Sequence, residues 1–205
     1  MDQQFTKKLV TSWFCKNADI SVRSVGLDKQ NIHVFYIDCM IDKVYLSQNV
    51  ISNLLNINSA DFETIKSKLS ASEIIELNTK QQVVDSILNG FAVIILDNHP
   101  TALAIGATGY TTRSISEPPT SQVTKGPREG FVEDLSINLS MLRRKIKSAD
   151  FAVENLVVGK QTKTKIAVVY LNNIADKSLF NKLTKQLKQI NIDGIIDSYY
   201  IESLL

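Results

Sequence analysis

Apolar positions along the chain alternate between two periods, one near 3.6 residues and one of two, and the alternation divides it into helices and strands. Phe5, Leu9, Val10, Trp13 and Phe14 stand at helical spacing and predict a helix over 4–16. A strand over 19–25 follows. Ile32, Val34, Phe35, Tyr36 and Ile37 form a β-branched and aromatic run that predicts a largely buried strand over 31–40. Val44, Val50, Ile51, Leu54 and Leu55 return to helical spacing, and Ser59 with Glu63 resembles a cap before a helix through Leu69. A short strand over 73–77 leads to a helix over 79–88 that Asn89-Gly90 stops. Strands over 91–96 and 101–107 then flank the turn Asp97-Asn98-His99-Pro100 as a hairpin.

The pattern breaks after Ala107. Gly109, the Thr-rich 108–116 stretch and Glu117-Pro118-Pro119-Thr120-Ser121-Gln122 end this unit in a stiff, extended connector. Gly126-Pro127 then marks a helix start. Phe131, Leu135, Leu139, Leu142 and Ile146 follow on one predicted stripe, which should be buried. Glu129, Glu133 and Asp134 crowd the N-terminal end of this helix, and Arg143, Arg144, Lys145 and Lys147 crowd its C-terminal end, as the macrodipole favours. Two strands over 151–158 and 165–171 and a helix over 175–190 come next, with the apolar Ile195-Ile196 opening a further element. The expectation is an α/β (α+β) chain of two small mixed-sheet subdomains, residues 1–114 and 126–205, joined by a proline-containing linker at 115–125 and a central amphipathic helix. The apolar ending Ile201 to Leu205 suggests that the second subdomain is truncated.

Composition changes this picture little. With 205 residues, 44% hydrophobic and 21% charged, the chain can bury a core. A formal net charge of +2 gives no footprint for nucleic acid, so none is expected as a partner. Cys15, placed in a helix, and Cys39, placed in a strand, read as two inert buried thiols of a reduced compartment. No secretory leader and no apolar run of about 18 residues stands out, so the chain as given reads as soluble.

Candidate chemistry is sparse. Gly159-Lys160-Gln161-Thr162 resembles the end of a phosphate loop, but Glu154 stands where that loop needs glycine and Gln161 where it needs a hydroxyl; it reads as a hairpin turn. Gly106-Ala107-Thr108-Gly109 lacks the third glycine of a dinucleotide fingerprint. His33 and His99 have no Cys or carboxylate at ligand spacing, so no metal, no cofactor, no catalytic residue and no enzyme is expected. Arg128, Arg143 and Arg144 have two readings: solvated helix-end charge, or bidentate pairing with carboxylates across the subdomain junction or at a subunit contact. Asn138 either faces solvent or satisfies backbone groups in the junction. Lys182, Lys185 and Lys188 form a solvated row or one attracted to an anionic membrane surface.

The central stretch also carries a resemblance. Glu117, Pro118, then Lys125-Gly126-Pro127-Arg128-Glu129-Gly130-Phe131-Val132-Glu133-Asp134, Asn138 and Arg143-Arg144 resemble the signature of the GerA family, the A subunits of the nutrient-germinant receptors of endospore-forming bacteria. The match falls in their large N-terminal hydrophilic domain. It extends more weakly to Leu88-Asn89-Gly90-Phe91 into Asp97, and to Val157-Val158-Gly159 through Tyr170-Leu171. Thr120-Ser121 stands where an acidic residue often follows the Glu-Pro, and Lys125 where arginine is usual. The resemblance implies a domain on the cytoplasmic, core side of the spore inner membrane, reached through membrane segments beyond this fragment. It implies B and C subunits as partners, with self-association and a small nutrient ligand left open. Its implied role is signal coupling and assembly through Glu117, Pro118, Gly126, Pro127, Arg128, Glu129, Gly130, Phe131, Glu133, Asp134, Asn138, Arg143 and Arg144. The alternatives are a germinant-binding module in the cleft between subdomains and a soluble scaffold.

Overall fold

The computed structural model describes residues 4–14, 17–26, 30–57, 61–109 and 130–205. Helix α1 (Lys7–Ser12) opens the chain, with Thr6 Oγ1 accepting from the Leu9 N–H as its cap. Strands β1 (Ile20–Gly26) and β2 (Asn31–Ile37) follow, then α2 (Lys43–Tyr45), a π-helical stretch (Leu46–Ile51) and α3 (Ser52–Leu55), which run on as one helical segment. Next come α4 (Phe62–Lys68), β3 (Ile74–Leu77), α5 (Lys80–Leu88), β4 (Ala92–Leu96) and β5 (Ala102–Ile105). The five strands form one sheet in the order β1-β2-β4-β5-β3, every pair antiparallel.

Side-chain alternation explains why this sheet is covered on both faces. Ile32 and Val34 of β2, Ile94 and Leu96 of β4, and Leu103 and Ile105 of β5 point to one face, against Leu46, Val50, Leu54 and Ile65 of the helical segment and α4. Phe35, Ile37, Val93, Ile95, Ala102 and Ala104 point to the other, against Phe5 and Val10 near α1 and Val83, Val84, Ile87 and Leu88 of α5. Strands buried on both faces carry apolar residues at successive positions, which is why β4, β5 and, with His33 the one polar break after Asn31, β2 stood out in the sequence. Gly90, at φ +86°, closes α5 in the left-handed conformation that glycine adopts without a Cβ penalty.

The second half has α6 (Leu135–Lys145), β6 (Phe151–Val158), β7 (Thr164–Leu171), α7 (Lys177–Gln189) and α8 (Ser198–Glu202). β6 and β7 form a separate antiparallel two-stranded sheet. The residues of the phosphate-loop lookalike turn this hairpin: the Lys160 and Gln161 N–H groups donate to the carbonyls of Ile192 and Asp193. Those amides are thus committed to the chain itself.

Three expectations are corrected. The central helix starts at Leu135, because the Asp134 carboxylate caps the Ser136 and Ile137 N–H groups; Phe131 lies ahead of it, 68% exposed, and is no part of a buried stripe. Helix α4 is capped by Asp61, whose carboxylate accepts from the Thr64 N–H, and Ser59 lies outside the described residues. Cys39 sits half-buried in the turn after β2 rather than in a strand, and Cys15 lies outside the described residues.

Candidate functional site

The two halves meet where the chain enters β1. Asn17 bridges Val153 of β6 in parallel, and the Ala18 N–H donates to the Val153 carbonyl at 3.0 Å. The chain thus leaves the edge of the small sheet and runs directly into the large one. Asp19, at that transition, is held by its carbonyl accepting from the Asp38 N–H at 2.9 Å.

Arg143, on the last turns of α6, reaches into this transition. Its Nε and Nη2 each donate to one oxygen of Asp19 at 2.8 Å, a two-pronged pairing that suits the planar fork of arginine. Nη2 also donates to Asn17 Oδ1 at 3.1 Å, and the guanidinium lies 4.5 Å over the Phe151 ring. The side chains are 0% and 4% exposed. Of the two readings of Arg143, the structure therefore shows pairing rather than solvation. Arg143 Nη1 and Asn17 Nδ2 are buried with no hydrogen-bond partner. Uncompensated donors of this kind cost about 1–3 kcal/mol each, so the cluster fixes geometry at the expense of stability.

Apolar packing surrounds the pair. Leu139, Phe151 and Val153 form a small buried cluster with Leu135, Leu142 and Ile146 at its margin, and Cys39 packs against both this cluster and the α1/α5 face of the large sheet. Burial, with the Asp19 charge adding and the Arg143 charge opposing, pushes the Cys39 thiol up to about 12. A thiol raised in the folded state favours folding below the ordinary thiol value, and that contribution is lost as pH rises toward about 12. At pH 8 iodoacetamide should therefore alkylate Cys39 in the native chain at least about 100-fold more slowly than in the urea-unfolded chain, a ratio readable by mass spectrometry.

The other predicted residues are placed apart from this cluster or outside the described residues. Glu117, Pro118, Gly126, Pro127, Arg128 and Glu129 lie outside them. Gly130 is half-buried, and Glu133 and Asp134 are exposed, the latter as helix cap. Asn138 clasps the backbone of Val132, accepting from its N–H at 2.8 Å and donating to its carbonyl at 2.6 Å, so it holds the entry to α6 instead of the junction. Arg144 is half-buried on the last turn. Lys182, Lys185 and Lys188 are exposed, and Lys188 pairs with Glu154 at 3.5 Å. Sequence reasoning missed Asn17 and Asp19, which lie 126 and 124 residues from Arg143. It also missed the contact of His33 with Asp97 and Ser24.

A cleft of about 740 Å³ lies within the second half, floored by β7 and walled by the start of α6 and by residues 195–201. Its lining is mostly apolar, with Glu133, Lys165 and Asp197 at its margins. Among the described residues no three His, Cys, Asp or Glu side chains converge as a metal site would require, and no helix is long and apolar enough to cross a membrane.

The model of the family described as Bacillus/Clostridium GerA spore germination protein matches residues 8–205. The chain belongs to the GerA family. Spore germination protein KA of Bacillus subtilis is 32% identical over 208 residues, covering 98% of this chain and 38% of that protein. Spore germination protein B1 of the same organism is 31% identical over 184 residues, covering 88% of this chain and 38% of that protein. This GerA-family chain thus spans 38% of the length of either relative. The crystal structure of the N-terminal domain of the A subunit of the Bacillus megaterium spore germinant receptor GerK3 shares its fold, with a TM-score of 0.72 at 21% identity over all of this chain and 80% of that one.

Proposed function

We propose that this chain is the N-terminal hydrophilic domain of the A subunit of a nutrient-germinant receptor, and that it couples and assembles rather than catalyses. In this reading residues 1–114 and 126–205 are two subdomains joined by the linker at 115–125. The domain lies on the core side of the spore inner membrane and works with B and C subunits. Family membership and the fold shared with the GerK3 domain support the assignment. The coupling role rests on one observation, the buried two-pronged pair of Arg143 with Asp19, which ties the family's central helix to the first strand of the large sheet.

A two-pronged charge pair has a defined geometry, so in this reading a displacement of one side bears on the other. Arg143→Lys keeps the charge and loses the fork. Spores carrying it in the full-length receptor, at matched receptor levels, should germinate several-fold more slowly on nutrient. Wild-type kinetics would remove the coupling role of the pair.

A second reading rests on the 740 Å³ cleft, which is large enough for a small nutrient and carries both signs of charge at its margins. It lies within residues 131–201 and not between the two sheets, so a ligand there would bear on α6 directly. Titration calorimetry of the chain with candidate nutrients separates the readings: saturable heat supports ligand binding, and its absence leaves coupling alone.

A further inference from the structure

We propose that the outer edge of β7 is a docking site for the stretch that follows Leu205 in the full-length receptor subunit, which adds to it as a further strand and closes the open side of the cleft. This rests on the reading of the chain as one domain of a longer subunit. The Val153 carbonyl accepts from the Ala18 N–H on the far side of β6, so Val153 and its cross-strand partner Val169 turn their backbone groups away from each other. By the alternation of an antiparallel ladder, Ala167 and Lys165 also turn theirs away from β6. Three residues of β7 thus aim N–H and C=O groups outward in a row. No strand or isolated bridge of the described residues pairs with them.

Proteins blunt the edges they leave exposed with short strands, proline or charge. β7 has eight residues and no proline, and after Lys165 its run Ile166 to Leu171 is uncharged. A two-stranded sheet is marginal alone, and the Asn17 bridge supports only its β6 side. On the β7 side Val169, Phe131 and Ile196 line the cleft and stand 37%, 68% and 84% exposed. The chain's own continuation is the occupant best placed to cover them. Residues 195–201 wall the cleft, and the Leu205 carbonyl accepts from Gln186 Nε2 of α7 at 3.4 Å, so a continuation starts beside this half-built layer. On the pattern of the relatives, of which this chain spans 38%, it has ample length to lay a strand along β7. A tethered strand also arrives at an effective concentration that a second copy of the chain does not reach.

Amide exchange measured by NMR tests this in the 205-residue chain and in the natural chain continued to its first apolar run of about 18 residues. The Lys165, Ala167 and Val169 amides should exchange freely in the first. In the second they should gain about tenfold or more in protection, the scale of one hydrogen bond, while the Val168 and Tyr170 amides, which face β6, change far less. Ala167→Pro removes an outward donor and no bond to β6, so it should leave the 205-residue chain folded and cut the gain at Lys165 and Val169 in the longer one. Free exchange at all three amides in the longer chain would overturn the docking and leave the receptor assignment standing. Protection already present in the 205-residue chain would overturn it too, and dilution would then tell a second copy from the chain itself. A reading frame that closes just after Leu205 would remove the receptor assignment and the occupant together.

Discussion

Arg143→Met is expected to destabilise the chain by about 3–5 kcal/mol in urea unfolding, because it leaves the Asp19 carboxylate buried with no cation to answer it. Methionine fills much of the space of the arginine stem, so the loss is one of charge compensation more than of volume. The mirror substitution Asp19→Leu should cost a similar amount for the opposite reason, a stranded guanidinium that is 0% exposed. The two together should cost much less than their sum, since an apolar pair removes both desolvated charges and, with Arg143, one of the two unpaired buried donors. Additive single losses would mean that the residues act independently and that the pair is not the fastening described.

Phe35→Ala should cost about 3–5 kcal/mol by a different route. Phe35 is fully buried on β2, which pairs with both β1 and β4, and its ring packs on the face covered by α1 and α5. Neighbours on two strands and two helices cannot all collapse into the vacancy, so the cavity contribution adds to the lost burial. Trimming Val169 to Ala on β7, where the side chain is 37% exposed, should change stability by less than about 0.5 kcal/mol. Equal losses at the two positions would contradict the placement of the main core in the five-stranded sheet.

The contrast between those positions parallels what the sequence made legible. Strands β2, β4 and β5 were readable because burial on both faces demands apolar residues on both, and α5 because Asn89-Gly90 marks its end; the capping box of Thr79 and Gln82 at its start was not read. The start of α6 was not readable. Gly126-Pro127 and a helical repeat through Phe131 favoured an earlier start, yet a carboxylate at Asp134 aimed at two backbone donors outweighed the repeat. Local spacing also ranks Arg143 and Arg144 alike as helix-end cations. Only the approach of Asp19 from a distant loop makes Arg143 the buried one, and nothing within either segment encodes that approach. The same holds for His33, which looks like an isolated strand histidine until the end of β4 brings Asp97 to its ring.

The claim that the Arg143–Asp19 pair fastens the small-sheet half of the chain to the five-stranded sheet is tested most directly by amide hydrogen exchange of Arg143→Lys against the parent chain. The Ala18 N–H, bonded across to Val153, reports the fastening, and the Phe35 and Ile94 amides report the large sheet. Ala18 should lose about tenfold or more in protection, roughly 1.4 kcal/mol, while Phe35 and Ile94 keep theirs. Unchanged protection at Ala18, or an equal fall at all three, would contradict it.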